Sequence, residues 1–212
     1  MALDAEAALP QKWEVSFLLN QAEAASRLGF IQAIGAVFGL SEIAISLTLR
    51  ARGNEQRKDR GSLALIWLVV MLSLGLGIWL ANAVPDARLP SPNETYLAGL
   101  VVFVFGLALR WWSIWTLGRF FTVQVAIASD HRLIEQGPYR RLRHPSYTGS
   151  LLMFAGFALC LGNWATLIAM LVPVLAVFGW RIHVEEAALA ETFGDAWRDY
   201  IRRTWRLVPL IY

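Results

Sequence analysis

The sequence predicts an all-α integral membrane protein with about five transmembrane helices, and three observations predict it. Of 212 residues, 57% are hydrophobic and only 17% charged, where soluble domains carry roughly 25% charged residues. The apolar residues gather in blocks on the scale of the roughly 20 residues a helix needs to cross a bilayer. Sixteen of the 19 Lys and Arg residues lie in just three places, Arg50–Arg60, Arg110–Arg143 and Arg181–Arg206.

Residues 1–27 form a polar-to-amphipathic leader, in which "WEVSFLLNQAEAASRL" has the pattern of a helix lying in the membrane interface. The first apolar block runs from Leu28 to Leu49, and "ARGNEQRKDRG" follows as a short charged loop. A second block spans Ser62–Val84. "PDARLPSPNET" then carries three prolines, which forbid a helix and predict a turn. The third block runs from Tyr96 to about Trp115. The fourth, Tyr147–Leu161, and the fifth, Trp164–Trp180, are separated only by "GN", which predicts a tight helical hairpin. The tail "RIHVEEAALAETFGDAWRDYIRRTWRLVPLIY" reads as a helix running out of the fifth span. Arg181, Glu185 and Leu189 fall on one face of it, Gly194 marks a kink or break, and Pro209 ends the pattern.

With five spans, one orientation puts all three basic regions on the same side. The positive-inside bias makes that side cytoplasmic and leaves the acidic N-terminus outside. The pI near 9.3 therefore reports topology and not a nucleic-acid footprint. No cleavable signal peptide is apparent, so the first span is expected to act as its own insertion signal. The single cysteine, Cys160, lies inside the fourth block, which excludes a disulfide framework and a Cys-based metal site; no metal is expected. No internal repeat is present. Polar and charged residues abut the apolar helices more often beyond the third span. The chain is accordingly divided into the leader 1–27, a three-helix scaffold 28–115 and a half-membrane unit 116–212.

Ionisable groups at a membrane boundary are costly and need a partner or a purpose. Two clusters qualify, "EQGPYRRLRHPSYTGSLL" before span four and Arg181–Glu186 after span five. A tight turn between those spans returns the chain to the same face, so the clusters are expected to be neighbours. His144 precedes Pro145 and is biased towards extended backbone, while Pro145 suits the first position of a helix. The helix N-terminus behind it offers unpaired amides to an anionic group. Tyr139 and Tyr147 offer aromatic faces, Glu185 and Glu186 negative charge, and Arg181 a guanidinium able to grip a carboxylate. Plainer readings stand beside this one. Arg140, Arg141 and Arg143 serve equally as topology determinants, and Arg181 with Glu185 as an ordinary i,i+4 pair. Glu42 and Arg110, inside the first and third blocks, have no motif around them. From the residues alone, the expectation stops at a charged, aromatic cytoplasmic pocket at a membrane surface.

"HRLIEQGPYRRLRHPSYTG", followed some 30 residues later by "RIHVEEAALAETFGDAWRDY", resembles the isoprenylcysteine carboxyl methyltransferase family, to which membrane phospholipid methyltransferases are related. The resemblance covers about residues 115–212. It departs from the family pattern at Ile134, where valine is usual, and at Trp197, where tyrosine often stands, and nothing in the first 115 residues identifies a prenyl-recognising surface. It implies S-adenosylmethionine as cofactor, with S-adenosylhomocysteine as product. The implied cofactor contacts are Gln124, His131, Arg132, Leu133, Ile134, Tyr139, His144, Pro145, Ser146, Tyr147 and Glu185. It places the substrate at Arg181, with Glu186 beside it, and makes Arg181, Glu185 and Arg143 the residues expected to carry the chemistry.

The function so implied is methyl transfer to a lipid-like acceptor, foremost the carboxylate of an isoprenylcysteine-type substrate. Partners are then the lipid bilayer and a lipid-like small molecule. A phospholipid amine or a small thiol is an alternative acceptor; each needs a proton removed, which draws attention to Glu186 and His144 as bases. Alternatives of another class are an NADPH-dependent membrane reductase and a non-enzymatic membrane protein. A multi-pass protein of a prokaryotic inner membrane is the expected setting.

Overall fold

The computed structural model describes residues 29–45, 62–121 and 132–209, together with the backbone of two short strands at 56–57 and 126–127. The leader 1–27, most of the Arg50–Arg60 loop, Gln124 and His131 lie outside the described residues. The chain divides into two compact units, Met1–Ile43 and Ala44–Tyr212. Most of helix α1 (Gly29–Ile45), short and apolar, belongs to the first.

The second unit holds α2 (Ser62–Ala83), α3 (Pro92–Leu117), α4 (Pro145–Leu161), α5 (Trp164–Phe193) and α6 (Asp195–Arg202). Strands β1 (Gln56–Arg57) and β2 (Ala126–Ile127) pair antiparallel over two residues. Three of the described helices are long and apolar enough to cross a membrane, Leu63–Ala83, Pro92–Phe120 and Trp164–Phe193. Helices Gly29–Ile45 and Pro145–Leu161 are apolar and shorter. Large apolar side chains such as Leu72, Val101, Phe105 and Ile168 point outwards, and Trp115 is 74% exposed. That arrangement suits a lipid solvent, in which such groups need no burial.

Close packing of α3 on α4 follows from glycines spaced seven apart on each helix. A Cβ at Gly99 would meet Gly156 O at 2.7 Å, one at Gly106 would meet Gly149 O at 2.7 Å, and one at Gly156 would meet Phe103 N at 2.5 Å. These neighbours are backbone atoms that cannot give way, so only hydrogen fits and the helices touch directly. On the other side, α2 packs against α5. Gly77 lies under Met170, and the Thr166 hydroxyl donates to Gly77 O at 2.8 Å.

The predicted hairpin turn is Gly162–Asn163. Gly162 takes φ +65°, where a side chain would be strained. Asn163, fully buried, caps α5 by accepting from the Thr166 amide at 3.2 Å and donates its own amide to Val84 O at 2.8 Å. The cap thereby ties the hairpin to the end of α2. Two boundaries differ from expectation. Helix α3 starts at Pro92 and not Tyr96, because a proline is acceptable in a first helical turn. The tail helix breaks at Gly194 (φ +52°) as expected, but α6 ends at Arg202, well before Pro209.

Candidate functional site

The hairpin sets the height of every group. Counting outwards from Gly162–Asn163, Pro145 and Arg181 both lie about 26 Å down their helices, at 1.5 Å per residue. The corner preceding α4 therefore faces the last turns of α5, and four side-chain contacts join them. The Tyr147 hydroxyl donates to Glu185 Oε2 at 3.1 Å. His144 Nε2 lies 3.2 Å from Glu186 Oε1. Arg143 Nε lies 3.0 Å from the same oxygen, without its N–H aligned on it. The Tyr147 ring rests between His144 and Phe178, with centroids 5.8 and 5.1 Å away.

His144 is only 4% exposed and Arg181 only 2%, so neither is an ordinary surface residue. Burial of an unbalanced guanidinium is costly, and the negative charge of Glu185, one turn on, offsets that cost. Tyr139 is buried in the turn Gly137–Arg140, which rests on the end of α3 near Thr116. Its phenol is held well above the usual tyrosine range, by burial first and by the Glu185 charge second. Tyr139 thus belongs to the same electrostatic neighbourhood as Glu185.

Of the residues expected at the site, the fold brings Tyr139, Arg143, His144, Pro145, Ser146, Tyr147, Arg181, Glu185 and Glu186 to one end of the hairpin. Arg132, exposed, and Leu133 and Ile134, half-buried, lie in the irregular stretch leading to the Gly137–Arg140 turn. Gln124 and His131 lie outside the described residues.

Three contributors were not identified from sequence. Arg110, on α3, donates from one terminal nitrogen to Ser150 Oγ at 2.7 Å, Ser146 Oγ at 3.0 Å and Ser146 O at 3.3 Å, pinning the first turn of α4. Its signal was a charge inside an apolar span, which demands a partner. Tyr200, on α6, donates to Tyr139 O at 2.7 Å and Leu142 O at 3.3 Å. Arg206 donates to Glu186 through Nε at 3.2 Å and a terminal nitrogen at 2.7 Å. Nothing in "TWRLVP" distinguishes it.

An apolar helical hairpin whose basic, tyrosine-bearing corner is bound to paired glutamates defines a class of multi-pass membrane protein. Residues 95–196 match the family model described as phospholipid methyltransferase. Over 115 residues the chain is 36% identical to protein-S-isoprenylcysteine O-methyltransferase B of Arabidopsis thaliana, covering 53% of this chain and 58% of that one. It is 32% identical over 115 residues to a probable protein-S-isoprenylcysteine O-methyltransferase of Oryza sativa subsp. indica, covering 53% and 60%. The chain thus spans less than two thirds of the length of these curated relatives. The solved structure of a eukaryotic intramembrane Ras methyltransferase, isoprenylcysteine carboxyl methyltransferase, superposes with TM-score 0.67 at 26% identity, over 87% of this chain and 67% of that one. Over about half of its length in sequence, and over most of its length in fold, the chain is similar to isoprenylcysteine carboxyl methyltransferases.

Proposed function

We propose that the protein is an integral membrane S-adenosylmethionine-dependent methyltransferase that esterifies the carboxylate of an isoprenylcysteine-type lipid. The observation that carries this reading is the pair of contacts Tyr147–Glu185 and His144–Glu186 across the hairpin, which put an anion, aromatic faces and the buried Arg181 together. The donor set suits the cofactor: a carboxylate beside aromatic rings attracts a cation, and the amides at the start of α4 attract an anion. When bound, S-adenosylmethionine supplies a methyl group on a positively charged sulfur. Gln124, His131–Ile134, Tyr139, His144–Tyr147 and Glu185 would hold it, Arg181 would hold the acceptor carboxylate, and Arg143 would shape the corner between them.

An ionised carboxylate is already a nucleophile, so alignment is the main demand on the protein. The surroundings of Glu186 favour such an acceptor over an amine or thiol. Its two oxygens face Arg143, His144 and Arg206, and a carboxylate so stabilised is a poor base. On this reading 116–212 is the catalytic unit and 28–115 its membrane scaffold, with the site on the cytoplasmic side. The concentration of Arg and Lys near that end supports the orientation.

Calorimetric titration of the detergent-solubilised chain with S-adenosylhomocysteine and, separately, NADPH tests the proposal. Binding of S-adenosylhomocysteine, lost in Glu185→Ala or His144→Ala, is expected. Binding of NADPH alone would replace the reading with a reductase, and silence with both would leave a non-enzymatic membrane protein. A radiolabelled-methyl screen of lipid acids, amines and thiols then identifies the acceptor.

A further inference from the structure

Beyond α6 the chain turns back to the site. The Trp205 amide donates to Arg141 O at 2.9 Å, the Arg143 amide to Trp205 O at 2.8 Å, and the His144 amide to Arg206 O at 3.1 Å. The Thr148 hydroxyl donates to Leu207 O at 2.8 Å, carrying the seam onto α4. Arg143 also donates from its terminal nitrogen to Ile201 O at 3.1 Å and Thr204 O at 3.3 Å. The amides of Arg143 and His144 are therefore held by Trp205 and Arg206, while the His144 carbonyl accepts from the Thr148 amide of its own helix at 3.1 Å.

A pairing this short is marginal by itself, since isolated two-stranded ribbons barely hold in water. Side chains fasten this one. Arg206 grips both oxygens of Glu186, at 3.2 and 2.7 Å, while the Oε1 it shares also faces His144 and Arg143. The Glu186 side chain is 13% exposed, so these contacts are only weakly screened by water. One carboxylate on α5 thus binds a cation from the corner before α4 and another from the returning segment. Without it, Arg143 and Arg206 would face each other as like charges. Arg206 also lies beyond the 95–196 span of the family match.

We propose that Glu186 and Arg206 form a latch that seats Thr204–Leu207 on the Arg143–His144 corner, and that this seated segment is a required wall of the cofactor site. Glu186 is then a positioning residue acting through His144, which accounts for a carboxylate beside the site that is surrounded by cations. The role given to the latch rests on the methyltransferase reading above.

The test uses the full chain in detergent and two readouts. Amide hydrogen exchange at 141–148 and 205–207 reports the latch itself, and calorimetry with S-adenosylhomocysteine reports its consequence. In Arg206→Ala the amides of Arg143, His144 and Trp205 should exchange faster, while those around Thr166 keep wild-type protection. Affinity should fall by about tenfold, the usual scale of coupling between linked sites. Glu186→Gln should do the same or worse, and Arg206→Lys should recover most of the affinity. Should Arg206→Ala not fold, Arg206→Gln keeps the stem and reads the same quantities. Unchanged exchange in these variants overturns the latch. Faster exchange with affinity within twofold of wild type overturns its link to the site. A wild-type chain that binds no S-adenosylhomocysteine sinks the methyltransferase reading, and the latch's role in it, whatever the exchange shows.

Discussion

The Tyr147 hydroxyl donates to Glu185 Oε2 at 3.1 Å, joining the first turn of α4 to the last turns of α5 across 38 residues of sequence. That bond exists only because α4 and the first part of α5 are matched in length about Gly162–Asn163. It also fixes the tyrosine ring between His144 and Phe178. A single polar contact thereby records the turn, the helix lengths and the aromatic face of the site together.

If Glu185 balances a cationic sulfur, its charge matters more to S-adenosylmethionine than to the neutral sulfur of S-adenosylhomocysteine. Glu185→Gln keeps the shape and an acceptor oxygen. It should weaken binding of the former by about tenfold and of the latter by clearly less, as expected for a charge-assisted contact. Tyr147→Phe removes one hydroxyl and keeps the ring, so its effect should be nearer threefold, the scale of one net hydrogen bond. Parallel titrations with both ligands check this; equal losses for the two in Glu185→Gln would deny the carboxylate its charge-specific role.

Arg181 is 2% exposed and shares its helix face with Glu185, so its substitution separates acceptor from cofactor. Arg181→Lys keeps a charge but not the planar fork that grips a carboxylate on two sides. Steady-state kinetics should show the acceptor KM raised about tenfold or more, the scale of a lost charge-assisted hydrogen bond, with little change in S-adenosylhomocysteine affinity. An unaltered acceptor KM would take Arg181 out of substrate binding.

How much of this was legible follows from the range of each interaction. The hairpin could be read because "GN" and the helix lengths are local facts, and those facts alone bring His144 near Glu186. The start of α3 at Pro92 was missed because an apolar window does not register a polar first turn opened by proline. Arg110 was visible as a misplaced charge, but its partners Ser146 and Ser150 lie 36 and 40 residues away. Arg206 had no local signal, since its role arises from a backbone pairing between distant segments. The seven-residue glycine spacing on α3 and α4 was in plain view, though neither helix alone reveals that the two sets face each other.

That glycine seam yields a sharp contrast. A Cβ at Gly156 would sit 2.5 Å from Phe103 N and 2.6 Å from Gly99 O, whereas one at Gly75 meets nothing within 4 Å. Gly156→Ala should destabilise by about 1–3 kcal/mol, the usual cost of overpacking. Gly75→Ala should be neutral or stabilising by up to about 1 kcal/mol, because it only removes freedom from the unfolded chain. Thermal unfolding in detergent distinguishes them; equal behaviour at both positions would mean that α3 and α4 are not in direct contact.

Tyr200 gives the seam between α6 and the site its pH dependence. Its hydroxyl donates to Tyr139 O and Leu142 O from a buried position, and burial, aided by the Glu135 charge, holds the phenol well above the usual tyrosine range. The unfolded chain ionises this group near pH 10, whereas the folded chain keeps it protonated further. The contribution is therefore complete below about pH 10 and is lost as pH rises from there towards the higher folded-state value. Tyr200→Phe should cost about 1–2 kcal/mol at neutral pH, the scale of one or two lost hydrogen bonds. The gap between wild type and variant should narrow above pH 10, as read from denaturant unfolding at stepped pH. A gap that stays constant from pH 7 to about 11 would show that the Tyr200 proton is no more firmly held in the folded protein than in the unfolded chain.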